Sequence, residues 1–248
     1  MNKMMAVLAG LGLVMGMTAH AAELTLLSGG AVEPGVHAAV HAFEKASGHK
    51  VKVTFNTTPQ MQKRVAAGDT FDVVIAPPAA TGGFARDGKV DGGGLDIGHV
   101  GSGVAVRPGA PVPPIATADD IKKAVLEADS ITFNRASTGL YFENLLKKWG
   151  VYEQIEAKAA RYATGAEVME HVLKGKGREV GFGAITEILL YKEKGLRYVG
   201  PLPAEIQNYT SYTASVMSAG TQKEAAQALV KFLGGPAGKP LFVAAGIE

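Results

Sequence analysis

The sequence alternates short apolar runs with longer stretches whose apolar residues are spaced three or four positions apart. The spacing of three and four is typical of one helix face, and the short runs are typical of strands buried in a sheet. The first predicted helix ends at Gly48 and has one apolar face, formed by Val36, Ala39, Val40 and Phe43. Strands are predicted at Leu24–Leu27, Val51–Phe55, Asp72–Ala76, Ile131–Asn134, Ala159–Tyr162 and Val180–Gly183.

Further helices are predicted after several of these strands. Thr58 and Pro59 fit the N-cap and the first position of one helix, and Thr164 and Glu167 have the spacing of a capping box. Other helices are predicted at Leu140–Trp149, Gly165–Leu173 and Gln222–Leu233, whereas Gly92–Gly94 is predicted to be a loop. Strands that alternate with helices in this way predict βαβ units and therefore an α/β fold with parallel strands.

Composition excludes several classes of protein. Charged residues make up 19% of the 248 residues and hydrophobic residues 47%, as in ordinary globular proteins. The 25 basic and 23 acidic side chains give a net charge of +2, which argues against a nucleic-acid partner. The chain has no cysteine, so disulfide scaffolds, cysteine nucleophiles and cysteine-bound metal sites are excluded.

Residues 1–22 have the features of a secretory signal peptide. Lys3 gives a positive start, an uncharged stretch runs from Met4 to Ala19, and Ala19-His20-Ala21 fits the cleavage pattern of small residues. An uncleaved membrane anchor is the alternative. A signal peptide that is cleaved off predicts an exported protein, and we expect this protein to be located in a bacterial periplasm.

Four strand-to-helix junctions carry glycine or hydroxyl residues: Ser28–Gly30, Asn56–Thr58, Ala136–Gly139 and Thr164–Gly165. Ligands of open α/β sheets bind beyond the carboxyl ends of the strands, where helix N-termini offer unpaired N–H groups to anions. Each junction alone could be an ordinary turn, but together they predict an anion site. Arg135 is the basic residue best placed to reach a carboxylate, and a surface salt bridge is the alternative role for it.

The common catalytic and nucleotide-binding motifs are absent, and we expect no cofactor. His37 and His41 share a helix face and could bind a metal, although the preferred interpretation is a solvated surface pair. The isolated His99 and His171 are assigned structural roles.

Several segments of the chain resemble the periplasmic molybdate-binding proteins of ABC transporters. They are Leu24–Ser28, Phe55–Thr58, Gly68–Ile75, Ser137–Tyr141 and Val230–Pro236. The resemblance covers essentially the whole mature chain. It implies a two-lobed type II binding-protein fold, in which each lobe is a mostly parallel sheet flanked by helices and the ligand cleft lies between the lobes. The implied division places residues 23–103 and 212–248 in lobe one and residues 104–211 in lobe two.

The resemblance also implies a binding site, from which this sequence departs at two positions. A serine of the family falls on Ala31 and its ligand tyrosine falls near Ala184, while a second serine falls on Thr58. Two backbone positions fall on Thr138 and near Val168. The two departures favour a ligand other than molybdate. The predicted binding residues are Ser28, Gly29, Gly30, Ala31, Thr57, Thr58, Arg135, Ser137, Thr138 and Val168.

These observations predict a monomeric periplasmic protein that captures a small oxyanion or organic carboxylate for an ABC permease in the inner membrane. The alternative is a periplasmic isomerase of an unsaturated tricarboxylate such as aconitate, because isomerases of that kind resemble this family. Such an enzyme needs an acid–base group beside its ligand, and the sequence offers only Ser28, Glu33 and His99 as candidates. A structural or adhesion protein is disfavoured because the chain lacks repeats.

Overall fold

The computed structural model describes residues 21–248, so the predicted signal peptide lies almost entirely outside the described residues. The strands are β1 Glu23–Gly29, β2 Lys50–Asn56, β3 Val73–Ala76, β4 Val90–Val106, β5 Ser130–Asn134, β6 Ala159–Tyr162, β7 Glu179–Ala184, β8 Arg197–Pro201 and β9 Tyr209–Met217. The helices are α1 Glu33–Ser47, α2 Thr58–Ala66, α3 Pro78–Arg86, α4 Ala118–Glu127, α5 Ser137–Lys148, α6 Tyr152–Ile155, α7 Gly165–Lys174, α8 Ile185–Leu190, α9 Lys223–Leu233 and α10 Lys239–Ala244. None of these helices is long and apolar enough to cross a bilayer.

The strands form two groups of the same design, which the long strand β4 connects. In the first group β2, β1 and β3 run parallel, and β9 joins β3 in the antiparallel direction. In the second group β6, β5 and β7 run parallel. The first part of β4 pairs with β9, and its last part, from Ser102 to Val106, pairs with β7 and β8. This α/β arrangement, with helices flanking each group, confirms the predicted fold class.

Hydrogen bonds provide a second connection between the two groups of strands, next to the point where β4 passes from one group to the other. The side chain of Gln207 accepts a hydrogen bond from the Ser102 N–H at 2.8 Å and donates one to the Ser102 carbonyl at 3.1 Å. Because Gln207 lies just before β9, the outgoing and returning chain segments are bonded to each other there.

The first core lies between the sheet and α1. Leu26 and Val73 on neighbouring strands are fully buried against the apolar face of α1, which includes Val36 and Phe43. Burial of such a side chain contributes about 1.5–3 kcal/mol. The helix ends at Gly48, as predicted, and Gly48 has a φ of +77°, a conformation that glycine adopts at little cost.

The second core is centred on Phe142 of α5. Its ring stacks on Phe182 of β7, with 3.7 Å between the ring centroids, and meets Phe133 of β5 edge-on at 5.4 Å. All three side chains are buried. These contacts hold α5 against the sheet and therefore fix the position of the loop before it.

Two local predictions were wrong and one was confirmed. Gly92–Gly94 lies within β4 and is not a loop, and the backbone there passes so close to β9 that a side chain at position 94 would collide with Ser215. The N-cap of α2 is Thr57, one residue earlier than predicted, because its N–H donates to the Gln60 side chain at 2.8 Å. The capping box of Thr164 and Glu167 is present at the start of α7.

Candidate functional site

A small cavity lies where three strand-to-helix junctions meet. It follows the carboxyl ends of β1, β2 and β5, and its volume is about 30 Å³. The lining residues are Gly29, Gly30, Ala31, Asn56, Thr57, Thr58, Asn134, Ala136, Ser137, Thr138, Glu187 and Tyr212. Both strand groups contribute, because β1 and β2 belong to the first group and β5 to the second.

The first junction brings the backbone close to two side chains from elsewhere in the chain. A Cβ atom on Gly29 would lie 2.7 Å from the ring of Tyr212, so glycine is needed for the ring to pack there. A Cβ atom on Gly30 would lie 3.3 Å from Oε1 of Glu187. The Ala31 carbonyl accepts a hydrogen bond from the Thr186 hydroxyl, which ties this junction to α8.

The second junction presents hydroxyl groups at the start of α2. The Thr57 hydroxyl donates to Oε1 of Gln60 at 3.0 Å and is therefore engaged within the cap. The Thr58 hydroxyl has no hydrogen-bond partner among residues 21–248, and Thr58 lines the cavity. Thr58 is therefore the better placed of the two hydroxyls to bind a ligand.

The third junction is held in place by Asn134. Its Oδ1 atom accepts hydrogen bonds from the backbone N–H groups of Ala136 and Gly139, each at 3.0 Å. These bonds leave the N–H groups of Ser137 and Thr138, at the start of α5, without an acceptor in the described part of the chain. Two N–H groups and two hydroxyls on adjacent cavity-lining residues are therefore available to an anion.

Among the residues that the structure describes, Glu187 is the only one with a carboxyl group that lines the cavity. Its side chain is partly buried, and a Cβ atom on Gly165 at the start of α7 would overlap its carboxylate. The pKa of Glu187 is raised to about 7, mainly by loss of solvation and also by the negative charge of Glu33, while the backbone N–H of Ala184 opposes both effects. No lysine, arginine or histidine is among the cavity-lining residues.

Tyr212 of β9 lines the cavity, and its ring packs against Gly29 of the first junction. Burial raises the pKa of its hydroxyl, and the charge of Glu187 adds to this effect, so the hydroxyl stays protonated at neutral pH. The hydroxyl has no hydrogen-bond partner among residues 21–248 and is available as a donor.

Seven of the ten predicted binding residues line this cavity: Gly29, Gly30, Ala31, Thr57, Thr58, Ser137 and Thr138. Ser28 is fully buried within β1, and its hydroxyl donates to the Gly29 carbonyl at 3.2 Å. Val168 is also fully buried and packs in the core beneath α7. The Arg135 side chain is exposed and is not part of the lining. A ligand role for these three residues stays a prediction.

Sequence reasoning missed Asn134, Glu187 and Tyr212. The rule that pointed to the four junctions applies equally to Ala184–Glu187, which follows the buried strand β7 and begins α8. That junction was not singled out in the sequence because it contains no glycine. Tyr212 is the first residue of segment 212–248, which the resemblance assigned to lobe one without giving it a role in binding.

The predicted histidines lie away from the cavity. Nε2 of His171 is 3.0 Å from the Ser130 hydroxyl and its Nδ1 is 2.8 Å from the Tyr162 hydroxyl, so both ring nitrogens are engaged in local bonds. The exposed His37 lies 3.6 Å from Glu33. Within residues 21–248, no group of three or more histidine, aspartate or glutamate side chains is arranged to hold a metal ion.

Comparison with known proteins places this geometry in a family. Residues 24–248 match the family described as bacterial extracellular solute-binding protein. An aconitate isomerase from a Pseudomonas species is 29% identical over 221 residues, which are 85% of this chain and 81% of that protein. The molybdate-binding protein ModA of Azotobacter vinelandii is 28% identical over 204 residues, or 78% of this chain and 77% of ModA.

The fold is also that of solved binding proteins. The periplasmic molybdate-binding protein of Azotobacter vinelandii superimposes with a TM-score of 0.75 at 16% identity, covering 91% of this chain and 98% of that one. The match to the family extends over all the strands and helices described above. The chain is therefore a member of the bacterial extracellular solute-binding protein family.

Proposed function

We propose that this protein captures a small anion, an oxyanion or an organic carboxylate, in the cavity between its two strand groups. The observation that carries the proposal is the set of free donors at the start of α5, on Ser137 and Thr138, which line the same cavity as the free hydroxyl of Thr58. Neutral donors of this kind bind an anion without a formally positive side chain. Tyr212 of β9 supplies a tyrosine hydroxyl to this cavity. The position of the ligand tyrosine of the molybdate-binding proteins falls elsewhere in the chain, near Ala184.

The proposal includes the setting in which capture takes place. The protein works as a monomer in the periplasm after removal of residues 1–22, and it delivers the anion to an ABC permease. Residues 23–103 and 212–248 form one lobe and residues 104–211 the other, so that closure on the anion brings the junctions together. The relatives named after molybdate and aconitate both support an anionic ligand.

Anions are expected to raise the melting temperature of the mature protein. At a thousandfold excess over Kd, a ligand stabilises the folded state by about 4 kcal/mol. For a chain of this size the melting temperature then rises by about 8–16 °C. Differential scanning fluorimetry with molybdate, tungstate, sulfate, phosphate, citrate and both aconitate isomers measures the effect. A melting temperature that none of these anions changes would overturn the proposed function.

A second candidate function is isomerisation of an unsaturated tricarboxylate. Glu187 favours it, because a carboxyl group whose pKa lies near neutrality, in a cavity, suits general acid–base catalysis. We expect binding without turnover. Incubation of the protein with trans-aconitate, followed by proton NMR, is expected to give no more cis isomer than buffer alone. Conversion that is lost in Glu187→Gln would establish the isomerase in place of the binding protein.

A further inference from the structure

We infer that the cavity binds its anion together with one proton, which is held between the anion and the carboxyl group of Glu187. This inference rests on the proposed function and specifies the chemistry of the same site. It narrows the class of ligand, because the bound anion must have an oxygen atom that can share a hydrogen bond with a carboxylic acid.

The position of Glu187 is the first argument. Its carboxylate faces the backbone of Gly30 in the first junction and that of Gly165 at the start of α7. It lines the same cavity as the free donors of Ser137 and Thr138. An anion bound to those donors therefore shares a cavity of about 30 Å³ with this carboxyl group.

The charges around Glu187 are the second argument. The ionisable groups that act on it or respond to it are Glu33 at the start of α1, Tyr212 of β9 and Tyr191 at the end of α8. None of them is a cation. If Glu187 were ionised, it would therefore face a bound anion with no positively charged side chain to offset the repulsion. Two negative charges at so short a distance repel each other strongly in a poorly solvated cavity.

A shared proton removes this repulsion. A protonated Glu187 donates a hydrogen bond to the anion, in the way that carboxylic acids kept neutral by an apolar site act as donors. The proton can come from solvent, when the anion carries none, or from the anion itself. Sulfate and molybdate represent the first case at neutral pH, and hydrogenphosphate represents the second.

The sign of the pH dependence follows from the pKa of the free protein. Below pH 7 Glu187 already carries the proton, and anion binding is strongest there. Above pH 7 the proton must be taken up on binding, because a nearby anion raises the pKa of the carboxyl group further. The affinity for sulfate or molybdate is then expected to fall about tenfold between pH 6 and pH 8.

The test is isothermal titration calorimetry of the mature protein with sulfate, molybdate and phosphate from pH 6 to pH 9. At pH 8, in two buffers of different ionisation enthalpy, sulfate or molybdate binding is expected to take up close to one proton. Phosphate is expected to take up less, because it brings its own. Binding whose affinity does not change with pH, without proton uptake, would overturn the inference and leave the proposed function intact. Absence of binding at every pH by these three anions, and also by tungstate, citrate and both aconitate isomers, would overturn both.

Two variants assign the effect to Glu187. In Glu187→Gln the pH dependence of anion affinity is expected to disappear. Above pH 7 this variant should melt at a higher temperature than the wild type, and its melting transition also shows that it folds. In the control Glu33→Gln, the loss of a negative charge lowers the pKa of Glu187, so the fall in affinity should begin at a lower pH. Wild-type pH dependence in Glu187→Gln would show that another group holds the proton.

Discussion

Replacing Phe142 by alanine is expected to lower the free energy of unfolding by about 3–5 kcal/mol. Phe142 is 1% exposed and lies between Phe133 and Phe182, so its removal leaves a cavity bounded by two aromatic rings. For a chain of this size, the melting temperature should fall by about 6–20 °C. Urea unfolding followed by circular dichroism measures the change.

The matched control lies two residues earlier on the same helix. Leu140 is 46% exposed, and its replacement by alanine is expected to change the unfolding free energy by no more than about 0.5 kcal/mol. Equal losses in Phe142→Ala and Leu140→Ala would contradict the view that the aromatic cluster anchors α5.

Replacing Asn134 by alanine is expected to weaken both the fold and anion binding. The change leaves the N–H groups of Ala136 and Gly139 without their acceptor, which costs about 1–3 kcal/mol of stability. The donors of Ser137 and Thr138 then lose their fixed orientation. Loss of one hydrogen bond to a charged ligand corresponds to a rise in Kd of about tenfold to a hundredfold. Thermal unfolding and calorimetric titration with the anion that gives the largest thermal shift measure the two effects.

Asn134→Asp separates the two roles of this side chain. Aspartate keeps an acceptor oxygen for both N–H groups, so stability should remain close to that of the wild type. It also introduces a negative charge into the cavity lining, which should raise the Kd for an anion by about tenfold or more. Wild-type anion affinity in Asn134→Asp would show that the anion binds elsewhere.

The sequence was sufficient to predict the elements whose physical signal is local. The apolar face of α1 and the glycine that ends it predicted that helix correctly, and the buried runs predicted β1, β3 and β5. Gly92–Gly94 was predicted wrongly because its role depends on the closeness of β9, which is more than a hundred residues away in the chain. The strand and loop propensities of the three glycines do not reveal a contact with so distant a segment.

The same distinction applies to the site. The junctions at Gly29–Ala31, Thr57–Thr58 and Ser137–Thr138 follow from a rule about strand ends, and they meet in one cavity. Glu187 and Tyr212 reach that cavity only because α8 and β9 pack against the first junction. Their participation is a consequence of the tertiary structure, and residue type and spacing do not reveal it.

The pairing of β9 also determines the order in which the molecule can be completed during synthesis. Val216 of β9 pairs with Val73 of β3, and the backbone of Glu248 bonds to both the N–H and the carbonyl of His99 in β4. The first core therefore stays unfinished until residues 209–248 have left the ribosome. Contacts between such distant segments slow folding. A chain with this topology remains incompletely folded until residues 209–248 have been made, which suits the export proposed from its first 22 residues.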